Sequence, residues 1–201
     1  TGWRGFGVLP HFPAAARLPA EDALDLERPS AGGTLRIACL AFPRIANFDD
    51  LDPLRLSPGV DLAMVRPGQA IPGDCALVIL PGSKSTRGDL AFLRQQGWDI
   101  DLAGHVRRGG RVLGICGGYQ MLGRRIADPD GIEGQPGSVE GLCLLEAETE
   151  LGGDKVLVEV TGETVAEGLP FKGYEMHVGR TTTTARPLLE LEGGATDGAI
   201  D

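Results

Sequence analysis

Short apolar runs recur through the middle of the chain, each followed by a more polar segment. They cover residues 35–41, 60–65, 75–80 and 111–115. Their apolar positions are nearly continuous rather than alternating, which is typical of parallel strands that are buried on both faces. We therefore expect these four runs to form the central strands of a parallel sheet.

Helical patterns lie between the last two of these runs. Residues 89–96 place Leu90 and Leu93 on one side of a helix, and residues 99–108 begin with a capping aspartate and end before a glycine pair. The face predicted to be buried in the second helix consists of Ile100, Ala103 and Val106. Because strands and helices alternate, the pattern predicts an α/β fold, with a doubly wound, mostly parallel sheet and helices on both faces.

The two ends of the chain depart from this pattern. Residues 1–33 contain several prolines and end in a glycine pair, so they predict a linker rather than a folded domain. After residue 126 the pattern loosens into turns and more polar strands, such as 156–160 and 171–178. We expect one domain over residues 34–201.

Charge and cysteine content narrow the classes of function. Nineteen Lys and Arg against 28 Asp and Glu give a formal net charge of −9, which disfavours binding to nucleic acid or to an anionic membrane surface. No apolar run approaches the ~18 residues of a spanning helix, and no signal-peptide pattern opens the chain. The four cysteines form no C-x-x-C pair, so they predict reduced thiols, no metal site and a cytoplasmic protein.

The segment with the clearest chemical meaning is 111–123, which reads Arg-Val-Leu-Gly-Ile-Cys-Gly-Gly-Tyr-Gln-Met-Leu-Gly. It predicts a strand that runs directly into a helix, with Cys116 at the corner between glycines. Small neighbours permit the sharp turn of a nucleophile elbow. The helix N-terminus favours a thiolate at this point, and the N–H of Gly117 can donate to an oxyanion. Cys116 is therefore the predicted nucleophile, whereas Cys39 and Cys75 are expected to be small buried residues.

A second glycine-containing loop follows another central strand. Residues 81–86, Pro-Gly-Ser-Lys-Ser-Thr, lack the spacing of a phosphate-binding loop, and the elbow itself lacks the spacing of a dinucleotide-binding motif. Loops at the carboxyl ends of strands in an open α/β sheet converge on one crevice. We therefore expect the backbone of Gly82 to face Cys116 and to supply a second oxyanion donor.

Three segments together resemble one enzyme family: residues 114–123 of the elbow, residues 80–90 (Leu-Pro-Gly-Ser-Lys-Ser-Thr-Arg-Gly-Asp-Leu) and residues 173–181 (Gly-Tyr-Glu-Met-His-Val-Gly-Arg-Thr). They are similar to the class I, triad-type glutamine amidotransferases, which have a flavodoxin-like fold, and more narrowly to the glutaminase domains of cobyric acid synthases in cobalamin biosynthesis. The resemblance extends nearly continuously over residues 34–201.

This resemblance implies a reaction and a site. Cys116 would attack the side-chain amide of glutamine and release ammonia as a glutamyl thioester forms. Gly82 and Gly117 would form the oxyanion hole, and Gln120 would help to hold the substrate glutamine. No cofactor or metal is implied for this domain.

The resemblance also implies a larger enzyme. Residues 1–33 look like the end of an upstream synthetase domain. That domain would use ATP and Mg²⁺, and the ammonia, to amidate carboxylates on a corrin ring.

The histidines are the point at which this sequence departs from the family. The family's base is a late histidine in a Tyr-Leu-His-Gly-like segment, which the resemblance places beyond Asp201. His177 lies in a different motif, with Gly179 where many relatives have a glutamate, so it stays open whether His177 lines the pocket, contacts an interface or the substrate, or is the base. We expect the 201-residue chain alone to be inactive. His105 is expected on the solvated face of its helix.

Two other functions fit part of the pattern. A different hydrolase with a cysteine elbow would be expected to carry its base within these residues, and it gives no reason for segments 80–90 and 173–181. A non-catalytic docking module could keep the elbow as a relic, although the presence of both Cys116 and Gln120 weighs against it. Labelling of Cys116 by a glutamine-like electrophile would separate the glutaminase from the relic.

Overall fold

The structure, a computed structural model, describes residues 33–153, 156–177 and 179–201. Within these ranges the side chains of Phe48, Val156 and His177 are not described. The linker predicted over residues 1–33 lies outside the described residues except for Gly33, and it stays a prediction.

The first part of the chain alternates between strands and helices. Its elements are β1 (Leu35–Leu40), β2 (Ile45–Ala46), a 3-10 helix (Phe48–Leu51), α1 (Asp52–Leu56), β3 (Val60–Val65), β4 (Leu77–Leu80), β5 (Gly82–Ser83), α2 (Thr86–Gln95), α3 (Trp98–Arg107), β6 (Arg111–Gly114) and α4 (Gly117–Leu122). Strands β3, β1, β4 and β6 lie side by side in this order, and all three pairings are parallel. The four apolar runs in the sequence thus form the predicted parallel sheet.

Both faces of this sheet are covered. On one face, Leu40 and Leu80 pack with α2, α3 and α4 around the fully buried Trp98. On the other face, Ile37 and Ile79 pack with residues of the 3-10 helix and α1. Helices on both sides of a parallel sheet confirm the doubly wound α/β fold.

Helix α3 buries a different face from the one predicted. Trp98, Leu102 and His105 are buried, whereas Ile100 is 70% exposed and Val106 is 40% exposed. The polar atoms of the aromatic residues find partners inside: Trp98 Nε1–H donates to the Gln69 carbonyl at 2.8 Å. His105 Nε2–H donates to the Arg111 carbonyl at 2.9 Å, so the expectation of a solvated His105 is wrong. A buried position is open to these two residues because their polar atoms are hydrogen-bonded there.

From residue 125 onward, the helices and strands that the structure describes are all strands. They are β7 (Arg125–Asp128), β8 (Gly137–Glu140), β9 (Ala147–Glu150), β10 (Val156–Thr164), β11 (Pro170–His177), β12 (Arg180–Thr183), β13 (Leu189–Leu191) and β14 (Thr196–Asp197). They form two four-stranded sheets, ordered β12-β9-β7-β8 and β11-β10-β13-β14. No helix within residues 33–153, 156–177 and 179–201 has the length and apolar character needed to cross a bilayer.

Candidate active site

Cys116 lies between β6 and α4 in a backbone conformation that is rare for a residue with a side chain. Its φ is 48° and its ψ is −113°, outside both the helical and the extended regions. Such a conformation costs free energy and persists only where the surrounding structure imposes it. The side chain is exposed. This is the conformation and exposure expected of a nucleophile elbow.

The neighbouring glycines allow the backbone to make this turn. A Cβ atom on Gly118 would lie 2.0 Å from the carbonyl oxygen of Leu80, and one on Gly114 would lie 2.6 Å from backbone atoms of Gly118 and Tyr119. Any side chain at these two positions would therefore push α4 away from β4 or β6. The elbow depends on close contact between backbone segments, which only glycine permits.

The loop that follows β4 faces the elbow. A Cβ atom on Gly82 would lie 3.8 Å from the Cβ of Cys116, and one on Gly117 would lie 3.1 Å from the backbone nitrogen of Ser83. Strand β5 is held on its other side by antiparallel pairing of Gly82 with Ala46 in β2. Gly117 is the first residue of α4, where the N–H has no acceptor within the helix. The backbone of β5 thus lies beside both Cys116 and Gly117.

Gln120 extends the same cluster by one helical turn. Its backbone N–H donates to the Cys116 carbonyl at 3.1 Å. Its side-chain Oε1 accepts a hydrogen bond from Thr86 Oγ1 at 3.2 Å. Because that bond uses the amide oxygen, the amide nitrogen keeps both hydrogens as donors for an anionic group. The structure therefore brings together Cys116, Gly82, Gly117 and Gln120, four of the five candidate site residues that the sequence singled out.

Carboxylates that were not singled out in the sequence fix the start of α2 beside this cluster. Glu133 accepts hydrogen bonds from the backbone N–H groups of Thr86 and Arg87, both at 2.8 Å. Asp128, itself buried, accepts from Glu133 N–H at 2.9 Å and from Arg87 Nη1 at 2.8 Å. No pattern in the sequence pointed to these two carboxylates, because both reach α2 from more than 40 residues further along the chain.

No described imidazole lies beside the Cys116 thiol. His105 is hydrogen-bonded to Arg111, the first residue of β6, whereas Cys116 lies two residues beyond the last, Gly114, so the two lie at opposite ends of that strand. His177 lies in β11, paired with Val156 of β10, and its side chain is outside the described part of the chain. The role of His177 therefore stays open.

The other cysteines differ from Cys116 in their surroundings. Burial raises the pKa of the Cys39 thiol to about 12, and burial also raises the pKa of Cys75. Both side chains are buried, as expected from the sequence. Cys143 is exposed, like Cys116, and it does not lie at a strand-to-helix corner.

Comparison with known proteins finds several cobyric acid synthases that are similar to this chain in sequence. A cobyric acid synthase from Cereibacter sphaeroides is 62% identical over the whole of this chain, and one from Rhodobacter capsulatus is 64% identical over 96% of it. One from Bradyrhizobium diazoefficiens is 62% identical over the whole chain. The chain spans 40–43% of the length of these relatives.

Solved structures agree with the fold. PurLQS from Thermotoga maritima superposes with a TM-score of 0.60 at 18% identity, covering 82% of this chain and 77% of that one. A structure described as a glutamine amidotransferase superposes with a TM-score of 0.54 at 22% identity, covering 79% of this chain and 81% of that one. The model of one sequence family, described as the CobB/CobQ-like glutamine amidotransferase domain, matches residues 36–201. The chain belongs to this family of glutamine amidotransferase domains.

Proposed function

We propose that this domain is a glutaminase that uses Cys116 to release ammonia from glutamine. The observation that carries the proposal is the elbow: an exposed thiol held at a strained corner, with the backbones of Gly82 and Gly117 close to it. A thiolate is the nucleophilic form of cysteine, and the positive end of a helix favours it.

The proposed reaction begins with attack on the side-chain amide. The sulfur of Cys116 forms a bond to the amide carbon, and the C=O π electrons move to the oxygen. Backbone N–H groups of Gly117 and of the loop that begins at Gly82 stabilise that oxyanion. When the C=O bond re-forms, the C–N bond breaks and ammonia leaves with a proton from a general acid. Water then cleaves the thioester to glutamate and restores the thiol.

Gln120 is proposed to bind the substrate. Its amide oxygen is held by Thr86, which orients the amide nitrogen as a hydrogen-bond donor. A carboxylate such as the one on the α-carbon of glutamine is an acceptor that suits this donor. The residue that acts as base and acid stays open: the family resemblance implies a late histidine in a Tyr-Leu-His-Gly-like segment, and His177 is the alternative within this sequence.

The proposed fate of the ammonia follows from the relatives. They are cobyric acid synthases, and this chain spans less than half of their length. We propose that the ammonia passes to an ATP- and Mg²⁺-dependent synthetase part of the same enzyme, which amidates carboxylates of a corrin.

Covalent labelling tests the nucleophile. The chloroketone analogue of glutamine is expected to form one adduct, on Cys116, and excess glutamine should slow its formation. Cys116→Ser should remove the adduct, whereas the matched change at the other exposed thiol, Cys143→Ser, should leave it unchanged. An adduct that glutamine does not slow would favour the relic docking module over the glutaminase.

A second experiment tests the division of labour in a full-length synthase that contains this domain. Cys116→Ser should abolish amidation that depends on glutamine and leave amidation from added ammonia intact, because nucleophile and synthetase are separate. If both activities are lost together, either Cys116 has a structural role or the two parts do not act separately.

A further inference from the structure

One buried carboxylate beside the elbow is not used by the proposed reaction. Asp89 lies in the first turn of α2, and its side chain is fully buried. A buried carboxylate is costly unless it is well paired and hydrogen-bonded. Burial raises the pKa of Asp89, and a hydrogen bond from Ser83 opposes that rise.

The contacts of Asp89 join α2 to the loop that carries Gly82. Asp89 Oδ2 accepts a hydrogen bond from Ser83 Oγ–H at 2.6 Å. Ser83 Oγ in turn accepts from the backbone N–H of Ser85 at 3.0 Å, and the backbone N–H of Asp89 donates to the Ser85 carbonyl at 2.9 Å. These three hydrogen bonds close a ring between the helix and β5.

The second oxygen of Asp89 is less well satisfied. Oδ1 lies 3.7 Å from Arg44 Nη1, and Arg44 opposes the rise in the pKa of Asp89 through its backbone N–H and its charge. Arg44 also belongs to the loop's surroundings, because its carbonyl accepts from Lys84 N–H at 2.8 Å. The hydrogen bond from Ser83 is therefore the closest side-chain contact of this carboxylate. Its effect is to fix the position of Ser83.

The position of Ser83 matters because β5 is only two residues long. Its partner β2 is equally short, so the pairing of these two strands alone gives the loop little support. Ser83 adjoins Gly82, which faces the Cβ of Cys116, and the nitrogen of Ser83 lies against Gly117. A shift of Ser83 would therefore move the Gly82 backbone relative to the thiol.

We propose that Asp89 is a positioning residue of the oxyanion hole: through Ser83 it holds the backbone of Gly82 at the distance from Cys116 that a tetrahedral adduct requires. The inference rests on the proposed glutaminase chemistry. A hole made of two donors works only if both meet the oxygen together, and a misplacement of about 1 Å can cost roughly a hundredfold.

An aldehyde that mimics glutamine tests this role directly. Glutamate γ-semialdehyde should add to Cys116: a C–S bond forms, the C=O π electrons move to the oxygen, and the thiol proton ends on that oxygen or in solvent. The adduct is measured at equilibrium, so it does not depend on a catalytic base. Its stability is read as the aldehyde concentration that half-protects Cys116 from iodoacetamide, by mass spectrometry of the Cys116 peptide.

The variants separate positioning from folding. Ser83→Ala should raise the half-protecting concentration by about ten- to a hundredfold, since the loop loses its link to Asp89. Asp89→Ala should act in the same way. Asp89→Asn should raise the half-protecting concentration much less, because its amide oxygen can still accept a hydrogen bond from Ser83 Oγ–H. Ser57→Ala, which removes a comparable hydroxyl bonded to the distant Pro53 carbonyl, should change nothing.

A second readout distinguishes the proposal from a structural effect. The rate at which iodoacetamide alone alkylates Cys116 should stay within about twofold in every variant, because that displacement develops no oxyanion. Wild-type binding of the aldehyde by Ser83→Ala would overturn the inference. A parallel fall of aldehyde binding and alkylation would also overturn it. If the wild-type chain forms no adduct at Cys116, the proposed glutaminase fails, and the inference falls with it.

Discussion

Cys116 holds a backbone conformation that costs about 1–3 kcal/mol, and the residues around it impose that conformation. Its φ of 48° is rare for a residue with a side chain, while Gly118 lets α4 lie directly against β4. The other exposed thiol, Cys143, also has a positive φ of 55°, yet it is not followed by a helix. Comparison of Cys116 with Cys143 therefore separates the effect of side-chain exposure on thiol reactivity from the effect of the elbow.

Thiol reactivity is the prediction at this scale. Near neutral pH, iodoacetamide should alkylate Cys116 several-fold faster than Cys143, since only Cys116 precedes a helix N-terminus. Cys39 and Cys75 should react only when the protein unfolds, because both are buried and their pKa values are raised. A time course of labelled peptides, with and without urea, measures all four rates. Equal labelling of the four cysteines in the folded protein would rule out the assignment of Cys116 as the activated thiol.

At the scale of elements, the strands of the parallel sheet could be predicted, because a short continuous apolar run is typical of a strand that is buried on both faces. The buried face of α3 could not, because Trp98 and His105 are amphipathic and only their partners at Gln69 and Arg111 decide their burial. Strand β2 was also beyond prediction. Two residues carry no periodicity, and β2 exists only through its pairing with β5.

The packing of α4 leads to a prediction about stability. Gly118→Ala should lower the free energy of unfolding by about 3 kcal/mol, because its Cβ would meet the Leu80 carbonyl at 2.0 Å. The control is Gly73→Ala, where a Cβ meets nothing within 4 Å and the change should stay within about 1 kcal/mol. Urea unfolding of both variants provides the measurement. Equal stability of the two would show that α4 does not rest against β4 as described.

The buried carboxylate of Asp128, which helps to fix the start of α2, leads to a prediction about the pH dependence of stability. Burial alone would raise the pKa of Asp128, but hydrogen bonds from the Glu133 and Ile132 N–H groups and from Arg87 outweigh it, so the pKa is lowered from 3.8. A carboxyl whose folded pKa is depressed contributes stability above its unfolded pKa and loses it as the pH falls through the folded value. Asp128→Asn should therefore be less stable than the wild type at pH 7. It should also lose less stability than the wild type as the pH falls through the folded pKa of Asp128. The measurement is the urea midpoint of variant and wild type at pH 7 and at pH 3. A fall of the same size in both proteins would contradict the prediction.

At the scale of the whole molecule, the placement of the candidate site residues follows from the parallel sheet that the sequence predicts. Cys116, Gly82, Gly117 and Gln120 are brought together by rules that act at the carboxyl ends of parallel strands, which a sequence pattern reveals. The supporting carboxylates could not be found in this way. Glu133 reaches the start of α2 from 46 residues further along the chain, and periodicity carries no information on such contacts.

The last prediction concerns turnover by the 201-residue chain, which we expect to release no significant glutamate from glutamine. Thioester formation needs a base to increase the thiolate fraction and an acid to protonate the departing ammonia, and one imidazole commonly does both. In the printed sequence His177 is the one histidine after Cys116, and no Tyr-Leu-His-Gly-like segment is present. Loss of general acid–base catalysis removes about 10²–10⁴-fold in rate, so an intact oxyanion hole should still leave turnover near background. The assay follows glutamate release by the chain and by its Cys116→Ala and His177→Ala variants. Turnover that disappears in both variants would overturn the prediction and identify His177 as the base.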